Sequence, residues 1–373
     1  MLRIHGARVG WSVLLTLIIL FLSLALLALG LQLAGYEAGQ AFRALWRGSF
    51  GTSSAFLSAT LVRATPLLLA GLGIALAFRA GIWNIGAEGQ LLVGAAAAAA
   101  LGLVPWDLPG GFQLALMLIA GALAGMLWAS VAELLRRRRG VLEVISTIML
   151  NFVALHLVGF LVHGPLQEPL GIYPQSAPIV QAARLPRLVP GTRLHAGFAI
   201  ALLAAPLLWW WLRSTAAGFR LRLVGANPDA ARMAGRIDVA RVAGRAFLAS
   251  GALAGLAGSI QVSGVTFALY ENLSSGYGYT AIVVALLGRL DPLAIVLSAI
   301  LFGALESGAL AMQREAGIPS VVVTAIEAIL VLALLLADRW SALRRASVKT
   351  GEAPHDSAHE ETSARHYVAP GIV

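Results

Sequence analysis

The most unusual polar groups of the sequence lie in FRAGIWNIGAEGQLLVGA, residues 78–95, between two apolar runs. The segment places Arg79, Asn84, Glu88 and Gln90 where ionisable and amide groups are costly in lipid and usually serve a function. Three of its glycines, Gly81, Gly86 and Gly89, lie within nine residues and favour a broken or re-entrant stretch, which at membrane depth must lie against protein or a watery cavity. The alternative is an ordinary inner loop, in which Arg79 follows the rule that basic residues stay on the cytoplasmic side and Glu88 caps the next helix.

Other polar side chains within the apolar runs are weaker candidates, namely Glu143, Asn151, Glu306 and Glu327. Each could line a path or pair with a neighbouring helix, and pairing is the preferred interpretation for any one of them. No metal site is predicted, because His156 and His163 lack a companion at ligand spacing and the chain has no cysteine. No paired carboxylates or nucleophile with a nearby base occur in the apolar runs, so no catalytic residue or cofactor is predicted.

An ATP site would need a phosphate-binding loop of the form GxxxxGK[ST], whose lysine reaches the nucleotide phosphates. The chain's single lysine is Lys349, preceded by valine near the C-terminal end. Any ATP-driven step therefore requires a separate subunit, which must dock on the inner face of this chain.

A docking surface of that kind is predicted in the loop 213–243, within GFRLRLVGANPDAARMAGRID. Asn227 suits an N-cap, Pro228 the first helical position, Asp229 the positive end of the dipole and Gly235 the C-terminal stop. These features predict a short helix with an apolar contact side between charged flanks, formed by Asn227, Pro228, Asp229, Ala230, Ala231, Arg232, Met233 and Gly235. The alternative is an amphipathic helix lying on anionic lipid, and docking to a partner is preferred.

The elements that carry these residues are apolar helices. A mean hydropathy of +0.82, with 59% hydrophobic and only 12% charged residues, predicts an all-α polytopic membrane protein. At about 20 apolar residues per span the chain has about ten transmembrane helices, near residues 11–34, 55–78, 88–104, 111–134, 141–163, 196–212, 244–265, 277–290, 293–312 and 319–337. The basic N-terminal start suggests a signal peptide, but the apolar run is too long, so an uncleaved first helix is predicted.

The charge pattern orients these spans. An even number puts both termini on one side, and with the termini cytoplasmic most of the 27 basic residues lie inside. Because those residues lie between apolar spans, no nucleic-acid partner is predicted. Residues 1–346 form the predicted transmembrane domain, with a proline-rich outer loop at 164–195 that is either a cap over the outer mouth or a connector. The polar tail 347–373 is predicted to be disordered and cytoplasmic.

Residues 270–280, YENLSSGYGYT, mix aromatic and hydroxyl groups at the predicted outer end of the eighth span. Such groups could stack on a base or sugar, or they could form the aromatic belt of the membrane interface. The belt is the preferred interpretation.

Four segments together resemble the permease subunits of bacterial nucleoside-type ABC importers, in the branched-chain amino acid, ribose and simple-sugar permease superfamily. They are FRAGIWNIGAEGQ, RRGVLEVISTIMLNFVA, VGANPDAARMAGRI and YGYTAIVVALLGRLDP, in the family order and within residues 55–337. The resemblance implies an inverted repeat of the second to fifth and seventh to tenth spans, which agrees with their predicted opposite orientation.

The resemblance also implies roles for particular residues. It maps the coupling helix onto Asn227 to Gly235 and the pathway motif onto Asn84 to Gln90, and it makes Arg136 to Arg139 the inner loop before the fifth span. The predicted pathway residues are Trp83, Asn84, Glu88, Gln90 and Asn151.

The leading hypothesis is therefore the permease subunit of an ATP-driven importer in the bacterial inner membrane, carrying nucleosides or a related small polar solute such as a purine or simple sugar. The expected partners are cytoplasmic ABC ATPase subunits, a second identical or homologous permease, an extracytoplasmic solute-binding protein or lipoprotein, and membrane lipid. The chain itself is not expected to be an enzyme. The alternative is an ion-coupled secondary transporter, which would need proton or sodium ligands at mid-membrane.

Overall fold

The computed structural model describes residues 25, 28–105, 111–233, 237–319, 322, 325, 328, 329 and 332. The chain divides into two compact units, one formed by Gly30–Glu327 and the other by Met1–Leu29 with Ala328–Val373. All helices and sites below belong to the first unit. Most of the predicted first span, 11–34, most of the predicted last span, 319–337, and all of the predicted tail, 347–373, lie outside the described residues.

The described elements are helical, with three isolated β-bridges among the connecting segments. In chain order the helices are α1 Ala38–Ser49, α2 Ser53–Arg79, α3 Ala87–Gly102, α4 Phe112–Arg139, α5 Glu143–His163, α6 Ala196–Ser214, α7 Ala216–Ala226, α8 Pro228–Met233, α9 Val239–Thr266, α10 Tyr277–Leu287 and α11 Pro292–Glu315. Helices α2 and α9 each contain a π turn, at Phe56–Thr60 and Val262–Thr266.

The predicted all-helical class is confirmed. Within the described residues, six helices are long and apolar enough to cross a membrane: α2, α4, α5, α6, α9 and α11. Helices α3 and α10 have only 16 and 11 residues, which corresponds to about 24 Å and 16 Å, less than the ~30 Å of a hydrocarbon core. The count of about ten crossings, the inverted repeat and the cytoplasmic termini stay predictions.

Two helices lie in segments that were predicted from hydropathy to be loops. Helix α1 buries Ala38, Ala41 and Ala44 along one stripe, and helix α7 lies inside the predicted inner loop 213–243. Both are short and carry polar faces, so a search for long apolar runs passes over them.

The predicted inner loop at Arg136 to Arg139 is wrong, because these four arginines form the last turn of α4. Glu133 lies one turn earlier, where it accepts bonds from Arg136 at 2.9 Å and 3.0 Å and forms a close ion pair with Arg137. Pairs at this spacing support a helix, and basic residues favour its negative C-terminal end. The helix stops at Gly140, whose φ of +65° suits glycine.

Small residues hold the centre of the bundle together, where α9 packs against α2, α3 and α4. A Cβ added to Gly94 or Gly125 would overlap Gly255, and one added to Gly258 would overlap the carbonyl oxygen of Leu91. The absence of side chains at these positions allows the helix backbones to approach closely, which is the main source of helix association in lipid. This packing fixes the N-terminal end of α3 against α9.

The segment 164–195 is irregular and covers the C-terminal end of α9. The amides of Ser176, Ile179 and Leu185 donate to the carbonyl oxygens of Leu269, Phe267 and Ser263 at 2.8, 2.8 and 2.9 Å, respectively. These bonds tie the proline-rich segment to the π turn of α9 and to the chain that leads to α10.

Candidate functional site

The polar segment singled out above forms a partly buried break between two helices. Helix α2 ends at Arg79 and α3 begins at Ala87, and Gly81 between them has a φ of +79° that favours glycine. The Arg79 guanidinium donates to the carbonyl oxygen of Leu290 at 2.8 Å, and a Cβ on Gly225 would overlap the Arg79 carbonyl oxygen. Both contacts tie this end of the break to neighbouring segments, while Gly81 and Trp83 within the break are exposed.

An amide pair holds the break in shape. The side-chain amide of Asn84 donates to Gln90 Oε1 at 2.9 Å, and that of Gln90 donates back to Asn84 Oδ1 at 3.0 Å. Asn84 also donates to Ser250 Oγ of α9 at 2.8 Å and accepts the amide of Gly86 at 3.0 Å. Asn84 and Gln90 are buried, so their hydrogen-bonding capacity is used within the protein.

Asn151 of α5 caps the start of α3 from outside that helix. The residue before α3 is Gly86, which has no side chain to cap the first turn. Asn151 Oδ1 instead accepts the amide of Gly89 at 2.9 Å, and Asn151 Nδ2 donates to the carbonyl oxygen of Ile85 at 2.9 Å. The same nitrogen donates to the hydroxyl of Tyr279 at 3.2 Å. One side chain therefore satisfies an unpaired helix-end donor and links α5 to α10.

Glu88 performs the corresponding task for α10. That helix also begins after a glycine, Gly276, without a side-chain cap, and Glu88 Oε2 accepts the amide of Gly278 at 2.6 Å. A Cβ on Gly278 would overlap the backbone of Glu88, so the N-terminal ends of α3 and α10 meet here. An oxygen acceptor placed where two helix N-terminal ends meet is favourable, because both ends carry positive dipole charge.

Four of the five predicted pathway residues therefore come together, and the fifth does not. Trp83 is 51% exposed, and its ring lies 4.6 Å from that of Phe78, apart from the hydrogen-bonded group. The polar group, made of Asn84, Glu88, Gln90, Asn151, Ser250 and Tyr279, reaches the protein surface at Tyr279, which is 44% exposed. We call it the capping cluster.

Sequence reasoning missed Ser250, Gly278 and Tyr279. Ser250 lies within an apolar helix with no local signal, and the tyrosine-rich segment at 270–280 was assigned to the membrane interface. The hydrogen bonds that bring these residues to Asn84, Glu88 and Asn151 span 166, 190 and 128 residues, respectively. No local pattern could have revealed such contacts.

The second predicted site forms the short helix α8. Asn227 Oδ1 accepts the amides of Asp229 and Ala230, each at 3.0 Å, and Arg232 donates to Asp229 at 2.6 Å. Both charged side chains are largely exposed, and Met233 is 88% exposed. Ala231 is fully buried.

Ala231 therefore anchors α8 instead of offering a contact surface. The predicted C-terminal stop, Gly235, lies outside the described residues.

Of the weaker candidates, Asn151 joins the capping cluster, and Glu306 lies within α11. Glu143 lies in the first turn of α5, and the Nδ1 atom of His163 lies 2.9 Å from the carbonyl oxygen of Gly159 in its own helix. Glu327 is not among the described residues. Within those residues no group of three or more histidines and carboxylates could hold a metal ion.

Comparison with known proteins identifies relatives of the whole helical unit. A family model described as the permease component of a branched-chain amino acid transport system matches residues 56–337. The guanosine ABC transporter permease NupP of Bacillus subtilis is 40% identical over 323 residues, covering 86% of this chain and 92% of that protein. The glucose ABC transporter permease TsgB13 of Haloferax volcanii is 38% identical, covering 79% of each chain.

A nucleoside ABC transporter permease of Lactococcus lactis, NupB, is 30% identical over 329 residues, covering 86% of this chain and 90% of that protein. The matched residues include both the capping cluster and α8. The chain therefore belongs to the family of branched-chain amino acid transport permease components, as a multi-pass inner-membrane permease subunit of an ABC importer.

Proposed function

We propose that this permease subunit carries nucleosides, or a related small polar solute such as a purine or simple sugar, into the cell. The similarity to a guanosine permease along nearly the full length of both chains is the observation that carries this proposal. ATP is hydrolysed by separate cytoplasmic ABC subunits, since the chain has no lysine-bearing phosphate loop. A solute-binding protein delivers the solute to the outer segment 164–195.

Helix α8 is the proposed coupling helix. Its outer side offers Asp229, Arg232 and Met233 to a partner. On its inner side Ala231 belongs to the same buried cluster as Val224 of α7 and Ala246 of α9. A displacement of α8 is therefore passed to α9, the helix that packs on α2, α3 and α4.

The capping cluster is the proposed wall of the translocation pathway. Asn84 and Gln90 hold the helix break and do not face the solute, since both are buried and mutually bonded. Tyr279 carries the exposed hydroxyl of the wall, and Asn151 and Glu88 hold the helix that presents it. The path lies beside this wall, between this chain and a second permease subunit, identical or homologous.

A charge exchange tests the coupling helix. Asp229→Arg with Arg232→Glu keeps an ion pair within α8 but reverses the charges that a partner meets. Because opposing like charges cost several kcal/mol at an interface, ATP-dependent solute uptake by vesicles should fall by at least ~10-fold. The amount of protein inserted in the membrane should not change.

The matched control is the exposed pair of Asp238 and Arg241, which has the same three-residue spacing in the same loop. Exchanging these charges also removes a helix cap, so it is the harsher change for folding. Uptake that survives in the control but not in the α8 variant supports coupling through α8. Unchanged uptake in the α8 variant removes that helix from the mechanism.

Energy source and solute are tested in the same vesicles, containing this chain with its ATPase and permease partners. Uptake of labelled guanosine should require internal ATP and should persist when proton and sodium gradients are abolished. Uptake driven by an ion gradient without ATP would instead establish the secondary-transporter alternative. Competition by unlabelled purine or glucose separates the solute classes, and glucose uptake without guanosine uptake would refute the nucleoside assignment.

A further inference from the structure

An apolar cleft of about 530 Å³ lies outside the capping cluster, among helices α2, α6, α7 and α9. Among the described residues, its walls are aliphatic side chains, alanines and one indole, and its charged lining groups are two arginines. The lining residues are Leu76, Leu208, Trp211, Ala217, Arg220, Leu221, Val242, Arg245, Ala246, Ala249, Ala252 and Leu253.

Tryptophans at one end of the cleft indicate that this end lies near the lipid headgroups. Trp209, Trp210 and Trp211 follow one another near the C-terminal end of α6, and the Arg213 guanidinium lies 4.5 Å from the Trp209 ring. Tryptophan side chains concentrate at membrane interfaces, and arginines extend toward the headgroups there. From that level the cleft follows α9 from Val242 to Leu253, about 16 Å of helix.

The basic end of the cleft has charges available for an anion. Arg220 and Arg245 are exposed, and no ion pair among the described residues includes either of them. Glu133, which shares a neighbouring cleft with Arg245, already pairs with Arg136 and Arg137. In the part of the chain that the structure describes, no acidic side chain lines the apolar cleft itself.

The chemistry of the two ends points to one kind of ligand. A small soluble anion could bind the two arginines but would make no contact with the elongated apolar wall. A zwitterionic lipid could contact the apolar wall, but its neutral headgroup would be attracted only weakly by the two unpaired arginines. Basic pockets between membrane helices on the cytoplasmic side suit anionic headgroups. We propose that the cleft binds an anionic phospholipid of the inner leaflet, with its phosphodiester at Arg220 and Arg245 and an acyl chain along α9.

Such a lipid would act on the same segment as the proposed coupling helix. The helix that carries Arg220, α7, directly precedes α8, and the helix that carries Arg245, α9, follows it. A lipid held by both arginines joins the two helices that flank α8. The inference goes beyond the proposed transport function and can be measured without it.

The test measures which lipids the assembled transporter retains. The transporter is placed in nanodiscs that contain phosphatidylglycerol and phosphatidylcholine, and native mass spectrometry identifies the lipids that stay bound when the complex is released into the gas phase. The wild-type complex should retain phosphatidylglycerol in preference to phosphatidylcholine. Arg220→Gln with Arg245→Gln removes both charges that would attract the headgroup. At the contribution that one arginine typically makes near a bilayer surface, this double variant should lose about 30-fold in phosphatidylglycerol affinity. The control, Arg138→Gln with Arg139→Gln, removes the same charge from exposed residues outside the cleft.

A second pair of variants tests the apolar part without changing charge. Ala252→Trp should fill the cleft and reduce retained phosphatidylglycerol, whereas Leu203→Trp on the exposed surface of α6 should not. Equal retention in the arginine variant and its control would overturn the proposal. So would equal retention of the two lipids by the wild type, or crosslinking from a photoreactive residue at position 249 to a polypeptide instead of to lipid. These outcomes do not depend on whether the vesicles transport solute.

Discussion

The cap that Asn151 provides to α3 can be tested by removing it. Asn151→Ala leaves the Gly89 amide without its acceptor in a buried setting and the Ile85 carbonyl without its donor in a partly buried one. A buried polar group left unpaired costs about 1–3 kcal/mol and a partly buried one less, so the two together predict a loss of about 2–4 kcal/mol in the free energy of unfolding. Tyr279→Phe removes only one bond to a half-exposed hydroxyl and should cost about 1 kcal/mol or less.

An isosteric change separates the two functions of Asn151. Asn151→Asp keeps an acceptor for Gly89 but replaces the donor to Ile85 with a second oxygen facing that carbonyl oxygen. We therefore expect Asn151→Asp to lower the unfolding midpoint as Asn151→Ala does but to keep the Gly89 amide protected from exchange. Tyr279→Phe should remain close to the wild type.

The assay combines thermal unfolding of the purified full chain in detergent with hydrogen exchange of peptides covering residues 80–90. Loss of the cap should lower the unfolding midpoint and speed exchange in that segment, because the first turn of α3 loses its acceptor. The matched control is His156→Ala, on the exposed side of the same helix. If Asn151→Ala exchanges and unfolds like His156→Ala, the hydrogen bonds to Gly89 and Ile85 do not hold the break.

Three further predictions concern other parts of the molecule. Gly258→Ala should lower the free energy of unfolding by about 1–3 kcal/mol, because the new methyl group overlaps the carbonyl oxygen of Leu91. Glu133→Gln should shorten α4, seen as faster exchange at its C-terminal end, because Arg136 and Arg137 lose their shared carboxylate. Burial lowers the pKa of His195 to about 4, so stability should be complete above pH ~6.5 and fall by up to about 3 kcal/mol as the pH drops toward 4. Unfolding midpoints across this pH range should lose that dependence in His195→Leu.

Each of these three has its own check. Gly159→Ala on α5 meets only an ordinary contact at 3.4 Å, and a loss equal to that of Gly258→Ala would refute the close-packing argument. For Glu133, unchanged exchange at the end of α4 would show that the helix needs no carboxylate there. For His195, a pH slope that persists in the leucine variant would assign the titration to another group. Stability falls as the pH drops because the protonated imidazole of His195 is favoured only in the unfolded chain, where the group meets water.

Much of the fold could be predicted from the sequence because the signals are local. The length and apolarity of the runs predicted α2 to α6 and α9 to α11 in place, since a membrane leaves helices as the way to satisfy backbone groups in a single segment. The signal for the N-terminal start of α8 was equally local, because the side chain of Asn227 accepts hydrogen bonds from amides only two and three residues away. The sequence also places Glu133 at helical spacing from Arg136 and Arg137, but the run of arginines was interpreted as a loop.

The tertiary structure alone decided the candidate site. The sequence marked Asn84, Glu88, Gln90 and Asn151 as polar groups in apolar surroundings, but not which helix end each would meet. Helices α3 and α10 begin after glycines that cannot cap them, so their unpaired amides take acceptors from Asn151 and Glu88. Which side chain reaches which amide depends on how closely the backbones of α3, α5, α9 and α10 approach. That approach is set by packing of small residues far apart in the chain, which no local pattern of residues encodes.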